Sequence, residues 1–126
     1  MLVWRWCLLL LMAGAMSGFA KDLKEVEKDL LTGDYEECIK EAEEALKTPY
    51  ADEEWRHILI RAYLTTGRYA DALEVTRAGL RRHSWSVRLR LLAHEVYLQN
   101  GDREQAESML NDINSMAGSR GRYGYQ

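Results

Sequence analysis

Three glycines set the fold of this chain. Thr32-Gly33-Asp34-Tyr35, Thr66-Gly67-Arg68-Tyr69 and Asn100-Gly101-Asp102-Arg103 align, and the glycines are 34 residues apart both times. Five residues after each glycine stand Cys38, Ala72 and Ala106, all small. Nine residues after come Ala42, Thr76 and Leu110; twelve after come Ala45, Gly79 and Ile113. Tyr63 and Tyr97 lie four residues before the second and third glycines. Spacings of three and four on both sides of a glycine are helical periods. Each unit is therefore a helix, a tight glycine turn and a second helix, and a fixed period of this kind marks a repeat array.

Local signals place six helices at about 22–32, 34–47, 52–66, 69–82, 86–99 and 102–115. Asp22 with Glu25 has the spacing of a capping box. Asp52 is a cap signal, Ser84 or Ser86 caps the fifth helix, and Asp102 with Gln105 opens the sixth. Pro49 cannot continue a helix and separates the first two units. One proline in 126 residues argues against a loop-rich chain, and the scarcity of β-branched and turn residues argues against a many-stranded sandwich.

The pattern resembles the tetratricopeptide repeat family over roughly residues 22 to 115. The middle unit carries Ala62-Tyr63, Gly67, Tyr69, Ala72 and Leu80, with the family's early tryptophan displaced by one residue to Trp55. The third unit keeps Ala93, Tyr97, Gly101 and Ala106 but has Arg103 after the glycine; the first has Asp29 where the others have tyrosine. The resemblance implies an all-α, short right-handed solenoid of three helix-turn-helix repeats. The units would span about 21–52, 53–86 and 87–116, within a domain of 21–116. It also implies a concave surface built from the first helix of each unit. By this register the partner-binding groove is expected at Leu30, Glu54, His57, Arg61, Leu64, Arg88, Leu91, Glu95 and Leu98, with Leu23 and Glu27 beside them. Some relatives clamp a partner's terminal carboxylate with basic groups in this groove. Leu23 and Glu27 stand here instead, and Arg88 alone retains a cation, so that chaperone-type reading does not transfer.

The first twenty residues have the layout of a secretory signal peptide. Arg5 and the amino terminus precede an uncharged run from Trp6 to Ala20, and Gly18-Phe19-Ala20 offers small residues before a cut. That run of 15 residues is shorter than the roughly 20 a spanning helix needs. No stable membrane span is expected after cleavage. The expected destination is the periplasm, cell envelope or exterior, the alternative being a chain anchored by the uncleaved segment. Residues 117–126, AGSRGRYGYQ, have three glycines and no apolar period and are expected to be a flexible tail. No polar capping helix follows the sixth helix, so its outer face is expected to be open.

Charge is uneven along the rest. From Lys21 to Glu54 the 13 acids and 5 lysines give a net of −8; from Trp55 to Arg90 the 8 arginines and 2 acids give +6. These are solvated helix faces, or opposite patches that steer a partner or a second copy. The arginines around Trp85 would suit an anionic peptide or head group better than a nucleic acid, since the chain is net acidic at −3. No nucleic-acid partner is expected.

No catalytic, cofactor or metal site is legible. His94-Glu95 lacks the second histidine of a zinc-protease helix, because Leu98 stands there. His94 reads as a packed histidine and His83 as a helix-end cation. Glycine-rich phosphate loops and nucleophile elbows are missing from the sequence. Cys38 reads as a small buried residue, or as half of an intermolecular disulfide. Trp55 and Trp85 read as packing anchors. The function expected is a non-enzymatic module whose leucines bury partner side chains while Arg61 and Arg88 fix acidic groups. The alternatives are a self-assembling envelope protein and an accessory part of a larger envelope enzyme.

Overall fold

A computed structural model describes residues 21–49 and 51–123. The expected signal segment, residues 1–20, lies outside them. Among the described residues there are six helices and no strand: α1 (Leu23–Thr32), α2 (Tyr35–Leu46), α3 (Glu53–Thr65), α4 (Tyr69–Arg82), α5 (Val87–Gln99) and α6 (Arg103–Tyr123). Five of the six fall within two residues of the helices read from the sequence. The sixth runs on through Tyr123, so residues 117–123 continue a helix instead of forming the expected tail. No proline interrupts that stretch, and Gly118 lowers helix propensity without breaking the helix.

The three turns are one structure used three times. Gly33, Gly67 and Gly101 have φ of 94°, 75° and 77°, the left-handed region that favours glycine. In each, the amide after the glycine donates to the carbonyl five residues back: Asp34 to Asp29 at 2.9 Å, Arg68 to Tyr63 at 2.8 Å and Asp102 to Tyr97 at 2.9 Å. This is the helix-ending motif that satisfies orphan carbonyls and reverses the chain in few residues.

The caps divide. Ser86 accepts from the Leu89 amide at 3.0 Å, and Asp102 accepts from the Gln105 amide at 3.0 Å, as expected. Asp22 and Asp52 occupy N-cap positions, but neither side chain makes a capping bond, so the Asp22–Glu25 capping box does not form. The Asp22 carbonyl accepts from the Glu25 amide instead.

Each helix packs on the next, and α1 touches α3 while α3 touches α5. Among the described residues no corresponding contact joins α2 to α4 or α4 to α6. The first helices thus form the closer layer and the second helices splay, which curves the stack toward α1, α3 and α5. Core residues lie between the layers, with Val26, Leu59, Ile60, Leu89 and Val96 all buried. The small slots Cys38, Ala72 and Ala106 are fully buried, which lets paired helices approach closely. Gly79 serves α4 and α5 the same way. A Cβ there would lie 3.0 Å from Leu89 Cδ2 and 3.2 Å from Arg56 Cδ.

The end of the stack is more polar than the sequence reading allowed. The positions that α2 fills with Ile39, Ala42 and Leu46, and α4 with Leu73, Thr76 and Leu80, hold Glu107, Leu110 and Asn114 on α6. Glu107 and Asn114 are exposed there. The outer face of α6 therefore presents charge and amide where the inner units present hydrocarbon. The first helix shows the same substitution: Lys21, Glu25 and Asp29 stand at the register of Trp55, Leu59 and Tyr63.

Candidate functional site

The 34-residue register turns the inner layer into a grid. Glu54, His57, Arg61 and Leu64 recur along α3 at spacings of three and four, which line one face of a helix. Arg88, Leu91, Glu95 and Leu98 repeat that face on α5. Across the helices run a leucine row (Leu30, Leu64, Leu98) and a charged row (Glu27, Arg61, Glu95). A third row joins Leu23, His57 and Leu91.

Leu91 is 53% exposed and Leu98 46%, although the opposite face of α5 is buried in the core. Leu31, at the end of α1, is 87% exposed. Between the first helices lies a recess of about 330 Å³ lined in part by Leu30, Leu31, Glu54, His57, Arg61 and Arg88. Five of the nine expected groove residues therefore share one recess. Leu64, Leu91, Glu95 and Leu98 lie along the same inner face but outside that recess. Leu31 was not expected. Its signal was an apolar residue in a register position filled by polar Thr65 and Gln99 in the other units.

The charges are not all available to a partner. Arg88 Nη2 donates to Glu54 Oε1 at 2.7 Å, and Nη1 donates to Glu54 Oε2. The hydrogen bond from Arg88 holds the Glu54 carboxyl below its usual range, against the opposing effect of burial. Arg88 was expected to fix an acidic group of a partner; this bidentate pair already satisfies it. Arg61 is exposed and makes no ion pair among the described residues.

His57 lies under the recess and is buried. Its Nε2 is 3.6 Å from Glu53 Oε1, and neither ring nitrogen has a hydrogen-bond partner. Burial pushes its pKa down, with the Arg88 charge acting the same way and Glu53 and Glu54 opposing. The imidazole is accordingly neutral near pH 7. Glu53 also accepts a 2.5 Å hydrogen bond from the Ser86 hydroxyl, a second tie between α3 and the start of α5.

Other singled-out residues have structural places. His94 Nδ1 lies 3.0 Å from the Ala106 carbonyl, between α5 and α6. Cys38 is a free, buried thiol, and burial raises its pKa to about 11. It cannot reach a second chain without opening of the α1–α2 pair. Trp55 packs against the core, but Trp85 is 75% exposed, at the edge of a recess shared with Arg90 and the α6 residues Asp112, Ser115 and Met116. It stands in the turn between α4 and α5, where the chain needs no apolar side chain. Among the described residues no three His, Cys, Asp or Glu side chains are grouped to hold a metal, and no helix is long and apolar enough to cross a membrane.

The fold is an array of helix pairs around a concave inner layer, the architecture of a helical repeat scaffold. The family model described as tetratricopeptide repeat matches residues 63–123. The chain is a tetratricopeptide repeat protein, and the general role of such proteins is to scaffold protein–protein interaction. No match was found among curated proteins or solved structures.

Proposed function

We propose that the chain is an exported adaptor that docks an amphipathic helix or an extended peptide on the inner face of α1, α3 and α5. The observation that carries this is the exposed leucine pair of α5. Leu91 and Leu98 are seven residues apart, one above the other on a helix whose far side is already in the core. With Leu31 they account for three of the six large apolar side chains exposed among the described residues. Apolar area of this kind on a curved face suits a partner's side chains inserted between the helices. Arg61 is the cation left to meet a partner's acid, and Glu27 and Glu95 flank it. Export rests on residues 1–20.

In-cell crosslinking of the tagged full-length chain, followed by mass spectrometry, tests the adaptor reading. A Leu91→Glu/Leu98→Glu variant and an Arg61→Glu variant run beside it. A specific envelope protein that disappears with both variants supports the groove. A partner retained equally by all three chains overturns it. Amino-terminal sequencing of the chain from the exported fraction should begin at Lys21.

A further inference from the structure

The outer face has a feature that the groove does not use. α2 and α4 flank a furrow of about 360 Å³ floored by α3, with Leu46, Val75 and Ala78 in its lining beside the charged Glu43, Arg56 and Glu74. Because the units repeat, α2 and α4 run in the same direction. The N-terminal end of α2 and the C-terminal end of α4 therefore lie toward opposite ends of the outer face. At the N-terminal end of α2 stand Asp34, Glu36 and Glu37. Asp34 and Glu36 are exposed and make no ion pair among the described residues, and Glu37 has only long contacts to Lys21 and Lys40 at 3.7 and 3.8 Å. Toward the C-terminal end of α4 stand Arg77, Arg81 and Arg82, all exposed.

None of these three arginines has a carboxylate partner among the described residues, whereas Arg68, Arg88 and Arg90 each have one. Arg82 reaches only the Pro49 carbonyl. Arg56 in the furrow has the same deficit. Its Nε is buried without a hydrogen-bond partner, and the Arg82 charge lies near it. Three of the eight arginines between Trp55 and Arg90 thus stand near the C-terminal end of α4 with no carboxylate partner among the described residues.

We propose that this outer face is a self-association surface, on which a second copy lies antiparallel across the furrow. A two-fold rotation sets the α2 acids of each copy against the α4 arginines of the other. One surface then complements itself at both ends, as a closed two-fold dimer requires. The acids of α2 and the arginines of α4 belong to the same chain, so two copies suffice to pair them. Val75 and Ala78 supply the apolar part of the contact, and the polar ends of the stack disfavour end-to-end association.

Sedimentation velocity of the full-length chain in about 0.05 M and about 1 M salt tests this, because the higher salt shortens the screening length to roughly 3 Å. A dimer at low salt that dissociates at high salt is expected. Arg77→Glu/Arg81→Glu and Glu36→Lys/Glu37→Lys should each be monomeric at low salt with unchanged circular dichroism. Mixed in equal amounts they should re-form the dimer, since both contacts are again between opposite charges. A monomer at low salt overturns the proposal, as does association that survives either variant or a mixture that stays monomeric. Recruitment of monomer to anionic vesicles, lost in the arginine variant, would assign the arginines to a lipid surface and overturn it too.

Discussion

Arg88 grips both carboxylate oxygens of Glu54, a residue one full repeat earlier, and so ties α5 to α3 across the inner face. The pair is partly exposed, so its contribution is that of a surface ion pair with good geometry, about 0.5–1 kcal/mol. Glu54→Gln should lower stability by that amount in urea titrations at neutral pH. The sign follows from Glu54's lowered pKa. The stabilisation is present above the unfolded carboxylate value and lost as pH falls through the folded one. The difference between wild type and variant should therefore vanish under strongly acid conditions. A constant difference across pH would show that the loss is not that of the ion pair.

His57 should show the reverse of a useful charge. Its folded pKa is lowered, so the folded state binds a proton less readily than the unfolded chain. Stability is full above the unfolded value of about 6.5 and declines as pH falls below it. The same register position holds Leu23 and Leu91 in the other units. His57→Leu should remove this decline and stabilise by about 1 kcal/mol at pH 6, since it deletes two unpartnered buried nitrogens. Thermal unfolding of both chains at several pH values measures it; parallel curves would exclude His57 as the titrating group.

Thr76 offers a cleaner test of the same cost. It is fully buried, and its hydroxyl has no partner. Thr76→Val keeps the shape and removes the polar atom, so it should be neutral or stabilising by about 1 kcal/mol in urea. Destabilisation would mean that the hydroxyl has a partner such as bound water.

Gly79 and Gly67 should respond to alanine for different reasons. At Gly79 the new methyl would meet Leu89 Cδ2 at 3.0 Å, so α4 must move or Leu89 must repack, costing about 1–3 kcal/mol. At Gly67 the space is open, but φ is 75°, and the cost is backbone strain of about 1–2 kcal/mol. Adding Leu89→Val to Gly79→Ala should recover part of the first loss, as a double-mutant cycle would show, and the same change should leave Gly67→Ala unrelieved.

Helices and turns were legible because they depend on neighbours in sequence. The glycines at the turns need only a local left-handed backbone, and spacings of three and four report a helix face wherever the helix ends up. The groove was legible by register for the same reason: a residue 34 positions later occupies the equivalent place. What failed was what depends on a second helix. Trp85 was expected to pack, but it stays 75% exposed at the edge of a recess beside α6. Asp22 had cap spacing without the side-chain bond.

The sequence alone therefore determined the repeat, the bounds of the first five helices to within two residues and which side chains share a face, but not the extension of α6 through Tyr123. Tertiary structure decided which of those side chains remain free. Arg61 and Arg88 look alike in the repeat, yet Glu54 neutralises one and leaves the other to solvent. The arginines of α4 and the acids of α2 look like ordinary helix surfaces, yet the parallel run of the second helices sets them toward opposite ends of one face. Periodicity encodes direction around a helix axis, whereas pairing depends on distance between axes, and only packing fixes that.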